Sequence, residues 1–227
     1  MFGWFGGPKE PVAVRIEGLP EREGIEATLL KVRDESKARL EDKAGWEDVA
    51  LDHSVHHEST KLQCKAEGEL LVYKCVGDIP GATPKDMLAL FWNKDLQARQ
   101  VWDASLAEFH LVEKISDTLE VLFSSYSAGV PLVANRTFVI ARTFWEQADG
   151  SIVYVGTSLN HDKGVQSPDD VRGTSTVYFE WTKTATGTHV RQFLAADARG
   201  SLPAFVINSV KTKTAEQMTA IRKVFAK

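Results

Sequence analysis

Apolar and polar positions along this chain change their rhythm four times. Between Glu21 and Lys43, Ile25, Leu29, Val32, Ser36 and Leu40 recur at spacings of three and four among charged residues. That pattern predicts an amphipathic helix with a narrow apolar stripe, stopped at Gly45. Short runs follow: Trp46 to Leu51, His53 to Cys64 and Leu70 to Val76 read as strands, the last two joined by a turn at Glu67-Gly68. Residues 78–84 break the chain, and Thr83 with Pro84 has the chemistry of an N-cap and first helical position. A short apolar helix from Lys85 to Trp92 is expected next, then another capped by Asp95 and ending near Trp102.

From Ala104 onward alternation dominates and predicts strands near 105–115, 118–127, 136–147, 152–159, 174–183 and 188–196. Leu119, Val121, Phe123 and Ser125 share one face of the second of these strands. Phe138, Ile140, Arg142 and Phe144 share one face of the third. Asp149-Gly150 and Thr184 to Gly187 are hairpin turns, so the sheet is a meander of antiparallel neighbours. The last rhythm is helical again: Ser201 and Pro203 open it, and Ile207, Val210, Thr214, Met218, Ile221 and Phe225 form its apolar stripe.

Hairpin-forming strands with helices at the ends read as an α+β fold. A curved antiparallel sheet gripping one long helix exposes more apolar inner surface than that helix covers, so an internal cavity is easy to build. The chain's 227 residues suffice for one domain with a core and a cavity. Residues 1–20, rich in glycine and proline, are expected to be a flexible segment ahead of a domain spanning 21–227.

Composition narrows the function. With 27 Lys and Arg against 31 Asp and Glu, the net charge of -4 lacks the basic footprint of a nucleic-acid binder, so no nucleic-acid partner is expected. No apolar run approaches the ~20 residues that span a bilayer, and the N-terminus lacks the features of a secretion signal. The turn at Glu67-Gly68 would set Cys64 opposite Leu71 rather than Cys75, which predicts two free thiols and a reducing, cytoplasmic setting.

Several segments together resemble the START family, the lipid transfer domains related to the steroidogenic acute regulatory protein. Arg99-Gln100-Val101-Trp102-Asp103 is similar to the family signature that follows the two small helices. Residues 131–142 resemble the loop and Arg-x-Phe strand at the family's cavity mouth. Gly200-Ser201-Leu202-Pro203 with Asn208 resembles its entry into the C-terminal helix. The resemblance spans roughly residues 22 to 226. It implies a helix-grip fold, a lipid-sized tunnel with the C-terminal helix as lid, and cargoes such as sterols, phospholipids or sphingolipids. It further implies a monomer that touches membranes transiently, with no cofactor and no catalytic residues.

On this reading the apolar walls are Phe123, Phe138, Ile140, Val177, Phe179, Phe205 and Ile207. The groups that orient a polar headgroup are Ser125, Arg142, Tyr154, Gln192 and Asn208. Gly129, Pro131, Leu132 and Val133 belong to the mouth loop. In several family members an acid on the preceding strand pairs with the arginine matching Arg142. The stretch expected to supply it, Phe123-Ser124-Ser125, contains none, so Arg142 is expected to be free for cargo, to pair elsewhere or to reach water.

Other constellations carry less. His53, His56 and His57 with Glu58 do not share one strand face, so no metal site is expected. No Gly-x-Ser-x-Gly elbow or phosphate-binding glycine loop is present. A cyclase or aromatase on the same superfold, or a lipid-sensing module, are the alternatives to a carrier.

Overall fold

The computed structural model describes residues 9–52, 57–67, 70–127, 129–201 and 204–226; of Leu71 and residues 204–211 only the backbone is described. Four helices are present among these residues: α1 (Ile25–Glu41), α2 (Pro84–Trp92), α3 (Leu96–Gln100) and α4 (Ala204–Phe225). The strands in chain order are β1 (Val12–Ala13), β2 (Glu47–Asp48), β3 (Lys61–Glu67), β4 (Leu70–Pro80), β5 (Leu106–Lys114) and β6 (Leu119–Tyr126). They continue with β7 (Arg136–Glu146), β8 (Ile152–Ser158), β9 (Val165–Gln166), β10 (Val171–Arg172), β11 (Thr174–Lys183) and β12 (Gly187–Asp197).

One 10-stranded sheet runs β2-β3-β4-β12-β11-β8-β7-β6-β5, with β10 joined in parallel to β7. Every other pairing in it is antiparallel, as the hairpin reading requires. The strand β12, last in the sequence, closes on β4, among the earliest. Helix α4 is seated against β3 and β4. With α4 across one face, this is the helix-grip arrangement.

Both faces of the sheet are covered. The inner face meets α2 and α4 through Leu62, Tyr73, Cys75, Phe179, Trp181, Val190, Met218 and Ile221. The outer face meets α1 through Ile25 and Leu29, packed with Val121, Val139, Val155, Tyr178 and Phe193. The α1 stripe therefore does what its period predicts. Burying side chains of this size is worth roughly 1.5–3 kcal/mol each. Helix α2 starts as predicted, with a reciprocal Thr83–Asp86 capping box and Pro84 in its first turn. Asp95 caps α3 by accepting from the Ala98 amide at 2.7 Å.

Some details were not expected. Part of residues 9–20 is paired and buried. Val12 and Ala13 pair with Gln166 and Val165, Ile16 is buried, and Asn160 bonds both the amide and the carbonyl of Ile16. A partner loop supplies the hydrogen bonds that local propensity does not. The strand expected over 53–64 begins only at Lys61, and His53 and His56 lie outside the described residues. Glu67 still pairs with Leu70, so Cys64 faces Tyr73 and Cys75 faces Leu62; both thiols are free. Cys75 is fully buried, and burial pushes its thiol up to about 12.

The approach to α1 is tied down electrostatically. Glu113 on β5 accepts from Arg22 Nε at 3.0 Å and from His161 Nε2 at 2.8 Å. The Arg22 guanidinium first, and His161 second, hold the Glu113 carboxyl at about 2, below its ordinary 4.5. A depressed carboxylate stabilises the fold fully above its unfolded value and loses that contribution as pH falls toward the folded one. The urea midpoint of the protein should therefore exceed that of Glu113→Gln at about pH 6, and the gap should narrow by about pH 3. A gap independent of pH would mean that the carboxylate charge contributes nothing.

Candidate functional site

Register decides which side chains meet between the sheet and α4. Reading across neighbouring strands on the inner face, Arg142 faces Gly156 and Val177. Phe144 faces Tyr154, Phe179 and then Gln192, which lies opposite Cys75. Phe138 and Ile140 occupy the same face of β7. Gly156 is the close point of this surface: a Cβ there would meet Ile140 Cγ2 at 3.0 Å and Val177 Cγ1 at 3.1 Å. The inner face thus gathers Phe138, Ile140, Arg142, Tyr154, Val177, Phe179 and Gln192.

Phe123 and Ser125 are not part of it. They pair with Val139 and Thr137 on the outer face, where Phe123 joins the cluster under α1 and stacks on His110 at 4.9 Å. All of β6 except Tyr126 is buried, so alternation alone does not reveal which side is the cavity side. The more apolar face turned out to serve α1. The inner face of β6 carries Glu120, Leu122, Ser124 and Tyr126 instead.

Glu120 overturns the expectation that Arg142 has no acidic partner. It lies directly opposite Arg142 in the β6–β7 register, three positions before Phe123. Both side chains are 1% exposed. Arg142 donates from Nε at 2.9 Å and Nη2 at 2.5 Å to Glu120 Oε1. It also donates to the carbonyls of Phe91 at 2.6 Å and Trp92 at 3.2 Å, the last turn of α2. There a cation meets the negative end of a helix. Lys94 reaches the other Glu120 oxygen at 2.9 Å. Arg142 is therefore bound to the protein's own groups through four hydrogen bonds.

At the centre lies an aromatic cluster. The Phe91 ring is 4.6 Å from Trp102, 4.8 Å from Phe179 and 5.0 Å from Trp181, centroid to centroid. Arg99 lies over the Trp102 ring at 4.0 Å, with Asp103 at 3.9 Å. Asp103 also accepts from the Tyr126 hydroxyl at 3.2 Å, and burial first, then Asp103, pushes that hydroxyl's pKa upward. In the sequence, Arg99, Trp102 and Asp103 stand out only as a signature. That Trp102 and Trp181 meet through Phe91 follows from α2 lying across β8 and β11.

Between this cluster and α4 is a pocket lined by Phe179, Val190, Gln192, Thr214, Gln217 and Met218, among others. It is closed to about 10 Å³, room for about one water. Met218 and Arg222 hold α4 close: a Cβ on Gly77 of β4 would meet Met218 Sδ at 2.4 Å and Arg222 Nη2 at 2.8 Å. The side chains of Phe205, Ile207 and Asn208 lie outside the described residues.

The loop expected to form the cavity mouth carries Gly129 (φ 66°) and Leu132 (φ 68°), both in the left-handed region. Leu132 is fully exposed, Pro131 exposed and Val133 partly buried. Buried Arg136 joins this loop to the start of α4, donating to the carbonyls of Ala134, Ala198, Arg199 and Ser201. No helix among the described residues is long and apolar enough to cross a membrane.

The sequence matches the START domain family model over residues 30–224. No curated protein matches it. Among solved structures, human StAR-related lipid transfer protein 5 is 21% identical with a TM-score of 0.72, covering 87% of this chain and 94% of that one. Human STARD10 is 19% identical with a TM-score of 0.68, over 94% of this chain and 81% of its own. A STAR-related lipid transfer protein fragment from Xanthomonas axonopodis is 21% identical with a TM-score of 0.66, over 80% and 98%. At these identities the structural likenesses establish the fold.

Proposed function

Because the chain belongs to the START domain family, we propose that it takes up one lipid between α4 and the inner sheet face and carries it between membranes. The observation that carries this reading is an apolar inner face capped by a single terminal helix, with a mouth loop tied to that helix through Arg136. The lipid transfer named for two of the structural relatives agrees with it.

The physical demand on a carrier is modest. Each exposed methylene costs about 0.8 kcal/mol in water, so a sixteen-carbon chain faces a penalty on the order of 13 kcal/mol. Apolar walls relieve it without chemistry. Phe138, Ile140, Val177 and Phe179 are our proposed walls, with Tyr154 and Gln192 as orienting groups. A space of about 10 Å³ is far below the ~300 Å³ of a small-molecule pocket, so loading requires α4 to swing away from β3 and β4. Such lid motions belong to the microsecond-to-second range. The exposed Leu132 of the mouth loop is placed to enter a membrane interface while the helix is open.

Native mass spectrometry of the purified chain should show one co-purifying lipid per protein. Donor-to-acceptor liposome assays should show transfer above the spontaneous rate. A chain that neither retains nor moves any lipid would remove this reading.

A further inference from the structure

We infer that the cargo is an uncharged amphipath, one whose polar end is a hydroxyl or carbonyl oxygen, and that the site discriminates against phospholipids. This rests on the carrier reading above and adds the chemical class of the cargo to it.

The described cations near the inner face make their bonds to the protein's own groups. Arg142 and Lys94 share Glu120. Arg99 has Asp103 at 3.9 Å and aromatic faces from Phe91, Trp102 and Phe109. Arg136 is bonded to four backbone carbonyls. Arg222 directs Nε and Nη2 to the Asp78 carbonyl and the hydroxyls of Ser59 and Thr60; its buried Nη1 has no hydrogen-bond partner among the described residues, and Arg222 is not among the pocket walls. The pocket walls among the described residues include no charged side chain. A lipid phosphate drawn into this pocket would lose its water and meet no counter-charge among the described walls, which costs a buried ion dearly.

What the site does offer is neutral and unpartnered. Gln192 is 4% exposed, lines the pocket, and its amide bonds to no described residue. Thr214, also 4% exposed, adds a hydroxyl from α4. Polar groups left unmatched in a desolvated site are costly, and a ligand that matches them recovers that cost. An amide accepts from and donates to a hydroxyl, and donates to a carbonyl oxygen. None of these groups neutralises an anion.

The test uses the whole purified chain and three probes: a fluorescent sterol, an NBD-labelled diacylglycerol, and an NBD-labelled phosphatidylcholine with the same acyl chains. We expect at least one uncharged probe to bind about tenfold or more tightly than the phosphatidylcholine, the worth of roughly one well-made buried hydrogen bond. Gln192→Leu should reduce that preference by a similar factor, while circular dichroism shows the fold retained. Equal or tighter binding of phosphatidylcholine overturns the inference and leaves the carrier reading standing. Failure of all three probes to bind overturns the carrier reading itself. Should Gln192→Leu not fold, the preference of the unsubstituted protein decides the matter alone.

Discussion

Glu120→Leu is expected to destabilise the protein by about 3–5 kcal/mol, because it strands the Arg142 guanidinium in the core without its counter-charge. The side chain it abandons is 1% exposed. Arg142→Met should cost less. Glu120 keeps Lys94, whose side chain is 39% exposed, and the main loss is the pair of bonds to the Phe91 and Trp92 carbonyls. The double variant should recover part of the loss, since two buried charges replaced by apolar groups leave none uncompensated. Urea unfolding of the four proteins measures the coupling. If Glu120→Leu costs under about 1 kcal/mol, the guanidinium has another partner and the pair is not what holds β6, β7 and α2 together.

Phe91→Ala should be of similar size, about 3–5 kcal/mol, for a different reason. Its ring touches Trp102, Tyr154, Phe179 and Trp181, so truncation opens a hole ringed by rigid aromatic groups that are slow to collapse. Its backbone carbonyl still serves Arg99 and Arg142, so the loss is one of packing rather than of the ion pair. The ring also walls the pocket, and the hole would merge with it. A bound lipid should therefore restore part of the lost stability, by an amount that grows with lipid concentration. Thermal melts of Phe91→Ala with and without the lipid would show it. A variant as stable as the parent would place the ring outside the tight core.

Function and stability share the same ground here. The inner face holds an ion pair, a capped helix end and an aromatic cluster in one layer. On the proposed carrier function, α4 moves to admit a cargo while that layer stays intact. Tight seating of Met218 and Arg222 over Gly77 places a fixed end of α4 near its C-terminus. The backbone turn at Arg199 (φ 49°) and Gly200 (φ 62°), held by Arg136, lies at the other end.

Much of this protein could be read from its chain alone. The stripe on α1, the Thr83 cap, the turns at Asp149-Gly150 and Thr184 to Gly187, and the strands from 105 to 196 rest on local rules: period, capping chemistry and turn residues. The segments around Arg99 to Asp103 and Gly200 to Asn208 were enough to suggest the family. Tertiary structure decided the rest. It decided which face of β6 is the inner one, because that strand is buried on both sides and alternation is then silent. It decided that Glu120, rather than any acid nearer the mouth loop, answers Arg142, because cross-strand register is set by pairing partners far away in sequence. It also decided how little space remains beside Gln192 and Met218. A cavity is the difference between two large packed surfaces, and no local pattern records that difference.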